Sequence, residues 1–323
     1  MDWTVRAPGS QRRARLLVVG DEFVMGYRQQ GQWNWLIATA FVLGKVGSGL
    51  FVVSFLTQFP AGMLLGWLVG TFGKGAAHLA YLGKPLRFWR AVMHPRTSWL
   101  ARGLWAMGAF GLFGLLTGLN AAGAPPGQRL SGPWLAAAAI ALLAALFMMV
   151  YDGFVLAASP SMALWNTPLM PLIAFFYALL GGITFTVVLA VGLDAQLVWA
   201  WSGAGIGVGP LESAEVGLVV LNFLIVVSWL SVMFGSTERT KRAVEVLLSM
   251  YRVPFFSGVV LVGFMGTALL AFLFALVENV QLLIGVALAD VIGHYLLFYL
   301  ILKAGLFAPP IMRRAVHRGR DRR

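Results

Sequence analysis

Eight separate stretches of this chain are long and apolar enough to form helices that cross a bilayer, and that pattern leaves few folds open. A helix-length window selects residues 34–56, 61–82, 99–120, 134–156, 168–192, 214–234, 254–276 and 281–303. The separators QFPAG, NAAGAPPGQ, ASPS and GAGIGVGP carry turn chemistry, and no soluble domain fits between them. Charged residues make up only 11% of the chain and hydrophobic ones 59%, with mean hydropathy +0.82. Soluble domains carry roughly 25% charged residues. The expected fold class is therefore an all-α integral membrane protein with eight transmembrane helices.

The loops supply an independent check on that count. With eight spans, the N-terminal tail, the loops 83–98, 157–167 and 235–253, and the C-terminal tail share one face, which holds 19 Lys and Arg. The opposite face holds Arg129 alone, with Asp194, Glu212 and Glu278. So lopsided a distribution is hard to obtain with a wrong number of helices. Both termini are thus expected on one side, and the positive-inside rule puts that side in the cytoplasm. The organisation read from this is a basic tail at 1–33, four helices over 34–156, a connecting loop at 157–167, four helices over 168–303 and a basic tail at 304–323. LLVVG at 16–20 is too short for the core of a signal peptide, so the first span is expected to act as the insertion signal.

Within the spans, small residues cluster: Gly62, Gly66 and Gly70; Gly108, Gly111, Gly114 and Gly118; Gly263 and Gly266. They suit helix backbones that must approach closely where lipid offers no hydrophobic drive. Trp33, Trp35, Trp99, Trp134, Trp199 and Trp201 fall near span ends, as interfacial anchors do.

Ionisable groups inside the spans are the informative exceptions, since each costs about 2.5–3.5 kcal/mol near mid-bilayer. They are Lys45, Lys74, His78, Asp152, Asp290, His294 and Lys303. Lys74 and His78 share a helix face at i,i+4, as do Asp290 and His294. An Asp–His pair one turn apart can pass a proton; alternatively, Asp290 is neutralised by Lys45, Lys74 or Lys303. Lys45, set among small residues in Gly44-Lys45-Val46-Gly47-Ser48-Gly49, is expected to reach Asp290 or Asp152. Proton transfer is assigned as an expectation to Lys45, Lys74, Asp290, His294 and Lys303.

With no cysteine in the chain, disulfides and cysteine-ligated iron–sulfur clusters are excluded. His78 and His294 are the only span histidines, too few for a two-haem anchor, and no His/carboxylate metal spacing is present, so neither haem nor metal is expected.

Three segments resemble the signature regions of the polysulfide reductase integral membrane subunit (NrfD-like) family: Trp33–Gly49, WNWLIATAFVLGKVGSG; His78–Gly103, HLAYLGKPLRFWRAVMHPRTSWLARG; and Tyr151–Pro171, YDGFVLAASPSMALWNTPLMP. The resemblance covers roughly residues 33–171 and is most specific at LGKPLRFW-(x)6-RTSWLARG; the second half matches by helix count and layout. It implies two four-helix bundles in the cytoplasmic membrane of a bacterium or archaeon, in a subunit that binds menaquinone or ubiquinone. It implies electron exchange with a ferredoxin-like iron–sulfur subunit and, through it, with a molybdopterin or cytochrome catalytic subunit. In polysulfide reductase itself the docking face lies on the outer side, opposite to the charge rule. The quinone head would meet Asn34 at the start of the first helix and Tyr151, in the pattern Tyr151-Asp152-Gly153, on the fourth. His78 and Asp152 end their spans at the same depth and complete the expected site. The basic, aromatic loop beside it (Lys84, Arg87, Trp89, Arg90, Arg96, Trp99 and Arg102) is the expected partner surface. Nothing points to nucleic acid. The competing expectation is a secondary transporter that uses the buried Lys, Asp and His residues for proton-coupled movement.

Overall fold

The computed structural model describes residues 26–125, 132–200 and 202–307. The basic tails Arg6–Arg15 and Arg313–Arg323, together with Arg129 and Trp201, lie outside the described residues. Nine helices account for most of what is described: α1 (Trp35–Leu56), α2 (residues 60–81), α3 (Trp99–Gly123), α4 (Pro133–Ala157), α5 (Leu169–Gly192), α6 (Gly209–Ser236), α7 (Glu238–Ser249), α8 (Pro254–Val277) and α9 (Val280–Lys303). Seven of them, α1, α3, α4, α5, α6, α8 and α9, are long and apolar enough to cross a membrane. Helix α2 is long enough but more polar, because Lys74, His78 and five glycines interrupt its apolar run. The outer faces of α6 and α8 expose Leu224, Val227, Leu261, Leu269 and Leu276, a surface suited to lipid rather than water.

Helix α1 is the hub. It is more completely buried than any other apolar helix described, and it packs on α2, α4, α5 and α9. Two of its crossings are backbone on backbone. A Cβ on Gly47 would collide with the Gly70 backbone of α2, and one on Gly49 with the Ala178 carbonyl oxygen of α5. Gly49 and Gly182 face each other there, so α1 packs across the joint at 157–167. That joint is anchored by Met162, Leu164 and Trp165, which are buried: the Trp165 indole donates to the Ile301 carbonyl at 2.8 Å and its ring lies 5.1 Å from that of Trp33. Of the glycines singled out above, Gly66, Gly70 and Gly263 sit at such crossings, whereas a Cβ at Gly108 would meet nothing within 4 Å.

Three helices contain wider, π-type turns: Val69–Gly73 in α2, Phe110–Gly114 in α3 and Pro254–Gly266 in α8. One inserted residue rotates the rest of a helix by about 100°. The turn in α2 ends at Lys74 and so sets the direction in which that lysine points.

One segment read as a connecting loop is largely helix. Residues 235–253 contain α7, nucleated by a capping box in which Thr237 and Thr240 satisfy each other's backbone N–H groups. Ala243, Val244, Val246 and Leu247 bury its apolar face, and Arg242 bridges Glu238 and Glu245 outside. The spacing of those four apolar residues is helical, but the surrounding charge masks it in a hydropathy window. The basic loop after α2 also holds a short 3-10 helix, Pro85–Val92.

The close crossing yields a direct test. Gly49→Ala should cost about 1–3 kcal/mol, since backbone cannot move aside, and lower the unfolding midpoint in detergent. Gly108→Ala, facing open space, should not lower it. Equal midpoints for the two variants would refute the α1–α5 contact.

Candidate functional site

The most unusual feature of the core is a carboxylate gripped by two ammonium groups. Lys45 Nζ lies 3.1 Å from Asp152 Oδ2 and Lys74 Nζ lies 2.8 Å from Asp152 Oδ1, with the Lys45 and Asp152 side chains fully enclosed and that of Lys74 4% exposed. Each partner comes from a different helix, α1, α2 and α4. Glycine makes the geometry feasible: a Cβ on Gly44 would sit 2.6 Å from Lys74 Nζ, so only a bare backbone lets the α2 lysine pass over α1. Of the two partners expected for Lys45, Asp152 is the one it meets.

The formal charges do not cancel. With both lysines protonated the trio carries one net positive charge in a nearly enclosed site. Aromatic rings share part of it: Lys45 Nζ lies 3.7 Å from the Phe298 centroid and 5.1 Å from that of Phe41, and Lys74 Nζ lies 5.0 Å from that of Tyr151. The Phe41 carbonyl accepts a further hydrogen bond from Lys45 at 3.3 Å.

Tyr151 and His78 flank this trio. The Tyr151 ring is buried against the backbone of Gly103, where any Cβ would collide with it, and its hydroxyl makes no hydrogen bond to another described residue. His78, half-buried one turn beyond Lys74, places Nδ1 3.0 Å from the Lys74 carbonyl. A carbonyl only accepts, so Nδ1 carries the proton and Nε2 is left as an acceptor. Asn34 is different. Its side chain caps α1 by accepting from Leu36 N–H at 3.0 Å, about 16 Å along the helix from Lys45. The neighbouring Gln32 carbonyl does accept from the Tyr81 hydroxyl at 3.3 Å, so the start of α1 and the end of α2 lie together. Lys45, Lys74, His78, Tyr151 and Asp152 are thus brought into one neighbourhood, with Asn34 at its outer margin.

Asp290 and His294 occupy a second neighbourhood on α9. Both are buried, and no hydrogen bond joins them. Asp290 Oδ2 and both His294 ring nitrogens lack a partner among the described residues. The neutralisation of Asp290 by Lys45 or Lys74 that the sequence left open is not observed, because both lysines bond Asp152. Lys303 does not join Asp290 either: it ends α9 about 20 Å further along, with Nζ 5.6 Å from the Tyr299 centroid. His294 packs on Tyr177 at 4.8 Å and Phe298 at 5.3 Å.

Glu215 on α6 escaped the sequence reading. It is 1% exposed, and its carboxylate accepts a hydrogen bond from the Thr184 hydroxyl of α5. The available signal was an acidic residue just inside the span 214–234, three positions after Glu212, which the loop count had absorbed as surface charge.

The basic segment after α2 presents Lys84, Arg87, Trp89, Arg90 and Arg96 to the outside, none of them paired with a carboxylate among the described residues. Arg90 lies over the Trp89 ring at 5.5 Å. Trp99 and Arg102 instead hold the segment in place. Trp99 stacks on Phe154 of α4 at 4.6 Å, and Arg102 lies over Trp99 while donating to the Pro95 and Arg96 carbonyls at 2.8 and 2.7 Å. Among the described residues no three metal-ligating side chains converge; the converging groups are hydrogen-bond donors and acceptors.

Removing the shared carboxylate strands two buried cations, a loss of about 3–5 kcal/mol for a broken buried pair. Asp152→Leu should therefore lower the unfolding midpoint strongly, and adding Lys45→Met and Lys74→Met should restore much of it. A melt of Asp152→Leu like that of the unsubstituted chain would contradict the pairing. No protein-family model matches the chain, and no curated protein matches it significantly, so the site is read from its own chemistry.

Proposed function

We propose that this chain is the membrane anchor subunit of a multi-subunit respiratory oxidoreductase, binding a quinone near its basic end and exchanging electrons with an iron–sulfur partner. In this reading α2 is the eighth membrane span. Its lysine and histidine are tolerated because they turn toward α1 and α4 rather than lipid. Helices α1–α4 and α5, α6, α8 and α9 then form two four-helix sets, with α1 packed into both.

The observation that carries the proposal is the uncancelled positive charge of Lys45, Asp152 and Lys74 beside a tyrosine hydroxyl and a histidine nitrogen. When bound, menaquinone or ubiquinone takes up or releases two electrons and two protons. Such a head group needs donors at its carbonyl oxygens and fixed positive charge where negative charge develops. Lys74 and Tyr151 supply donors, the lysine pair supplies the charge, and Asp152 is positioned to hold or pass a proton between the two ammonium groups. His78 Nε2, at the half-exposed end of α2, connects that centre to the basic face. Asn34, Trp33 and Trp35 border the entrance at the start of α1.

The unpaired cations Lys84, Arg87, Arg90 and Arg96, with Trp89 among them, form a surface complementary to an acidic ferredoxin-like subunit. That subunit would lead on to a molybdopterin or cytochrome catalytic subunit. The charge bias favours the cytoplasmic side for this face, against the outer side on which the resembled family docks its partner; the bacterial or archaeal setting follows from that resemblance. A second reading, a proton-coupled transporter, draws on the partnerless Asp290 and His294 and requires solute movement in liposomes without any partner.

Native membranes containing the complex provide the test. Tyr151→Phe and His78→Ala should leave assembly intact and lower quinone-linked turnover by about a hundredfold or more, the least expected of lost proton transfer. Full turnover in both variants would reduce the chain to a structural anchor.

A further inference from the structure

We propose that Glu215, Thr184 and Asp290 form a buried proton-holding site in the half of the molecule remote from the basic end, and that this site exchanges protons with the acidic face through Glu212. The inference rests on the membrane-spanning reading and on proton exchange by the chain, but not on a quinone being the redox partner.

Glu215 and Asp290 are 1% and 2% exposed, and α5 links them: Thr184, which bonds Glu215, lies one turn from Gly181, where a Cβ would sit 3.7 Å from Asp290 Oδ2. Neither carboxylate forms an ion pair among the described residues. Two ionised carboxylates without a counter-ion are costly at that depth. The pair therefore keeps at least one proton, and because the Thr184 hydroxyl donates to Glu215 Oε1, a proton held on Glu215 sits on its other oxygen.

Among the described residues the surroundings supply no counter-ion. On α1 the ionisable group facing α9 is Lys45, already committed to Asp152. From α5 come Tyr177 and Thr184, and from α6 Glu212, Glu215 and Asn222. Helix α8, which packs along α9, contains no ionisable residue at all; Thr267 is its buried hydroxyl, and that hydroxyl is itself partnerless. On α9 itself the neighbour is His294, one turn beyond Asp290.

Position supplies the path. Glu215 lies about 9 Å inside the start of α6 and Asp290 about 15 Å inside the start of α9, both counted from the acidic end. Glu212 stands one turn outside Glu215 and is half-buried. Inward, Asp290 points toward Gly181, where a Cβ would lie 3.7 Å from Oδ2, and the Phe298 ring packs on both His294, at 5.3 Å, and Lys45 Nζ, at 3.7 Å. Buried polar atoms without protein partners, such as Asp290 Oδ2 and both nitrogens of His294, are where water or a transferable proton is expected. Glu212, Glu215, Asp290, His294, Lys45, Asp152, Lys74 and His78 thus form a ladder from one end of the bundle to the other.

Infrared spectroscopy of the purified full-length protein in lipid tests the site without a quinone or partner. A protonated buried carboxyl should give a C=O band that shifts in D2O. Glu215→Gln and Asp290→Asn should each remove a component of that band, and Glu212→Gln should preserve it while slowing its exchange. If Glu215→Gln fails to fold, Thr184→Val must shift the band instead. Absence of the band, its persistence in both carboxylate variants, or its loss on adding sodium at constant pH would overturn the proposal. Quinone-linked turnover without the band would sink this inference alone, and the band without quinone binding would sink only the redox reading.

Discussion

Everything in the first half of this molecule is arranged around one carboxylate holding two lysines out of contact with water. An ion pair buried this deeply does little for net stability, because desolvation offsets most of the attraction. Leucine at all three positions would serve packing as well or better. What the trio does provide is register. Helices α1, α2 and α4 can satisfy Lys45, Lys74 and Asp152 together in only one relative arrangement. The glycines at 44, 47 and 70 then become necessities of that arrangement, and the π-type turn that precedes Lys74 sets the rotation at which its side chain reaches across α1.

The second consequence is an asymmetry of buried charge. The end that carries the exposed arginines also contains the cationic trio, whereas the remote half contains two buried carboxylates and, among the described residues, no buried lysine or arginine. Lys45 stands between them, bonded to Asp152 on one side and lying over the Phe298 ring that packs on His294 on the other. A bilayer-spanning chain has little reason to keep such groups unless they handle charge. The proposed quinone chemistry and the proposed acidic proton site are two uses of the same asymmetry.

How much of this was legible in the sequence follows from the kind of interaction involved. The apolar spans were legible because a bilayer demands long hydropathic runs, and seven of the expected segments reappear as helices of that character. Helix α7 was hidden because its four apolar residues sit in a charged stretch. Lys45 was recognisable as an anomaly, yet its partner was not, since Asp152 and Asp290 were equally plausible until packing chose between them. Asn34 illustrates the opposite case: a polar residue opening a helix is first of all a cap, and that is what its side chain does. Glu215 was missed because it stands at the second position of the predicted span, three residues after Glu212, where an acidic side chain reads as surface charge at a helix end; only packing against α5 shows it buried.

The measurement that bears most directly on the account is mild purification from native membranes, followed by extraction and identification of what accompanies the chain. The account predicts menaquinone or ubiquinone together with an iron–sulfur polypeptide that dissociates at high salt, as a contact through exposed arginines would. A folded, quinone-free protein that takes up neither quinone when it is added back would contradict it.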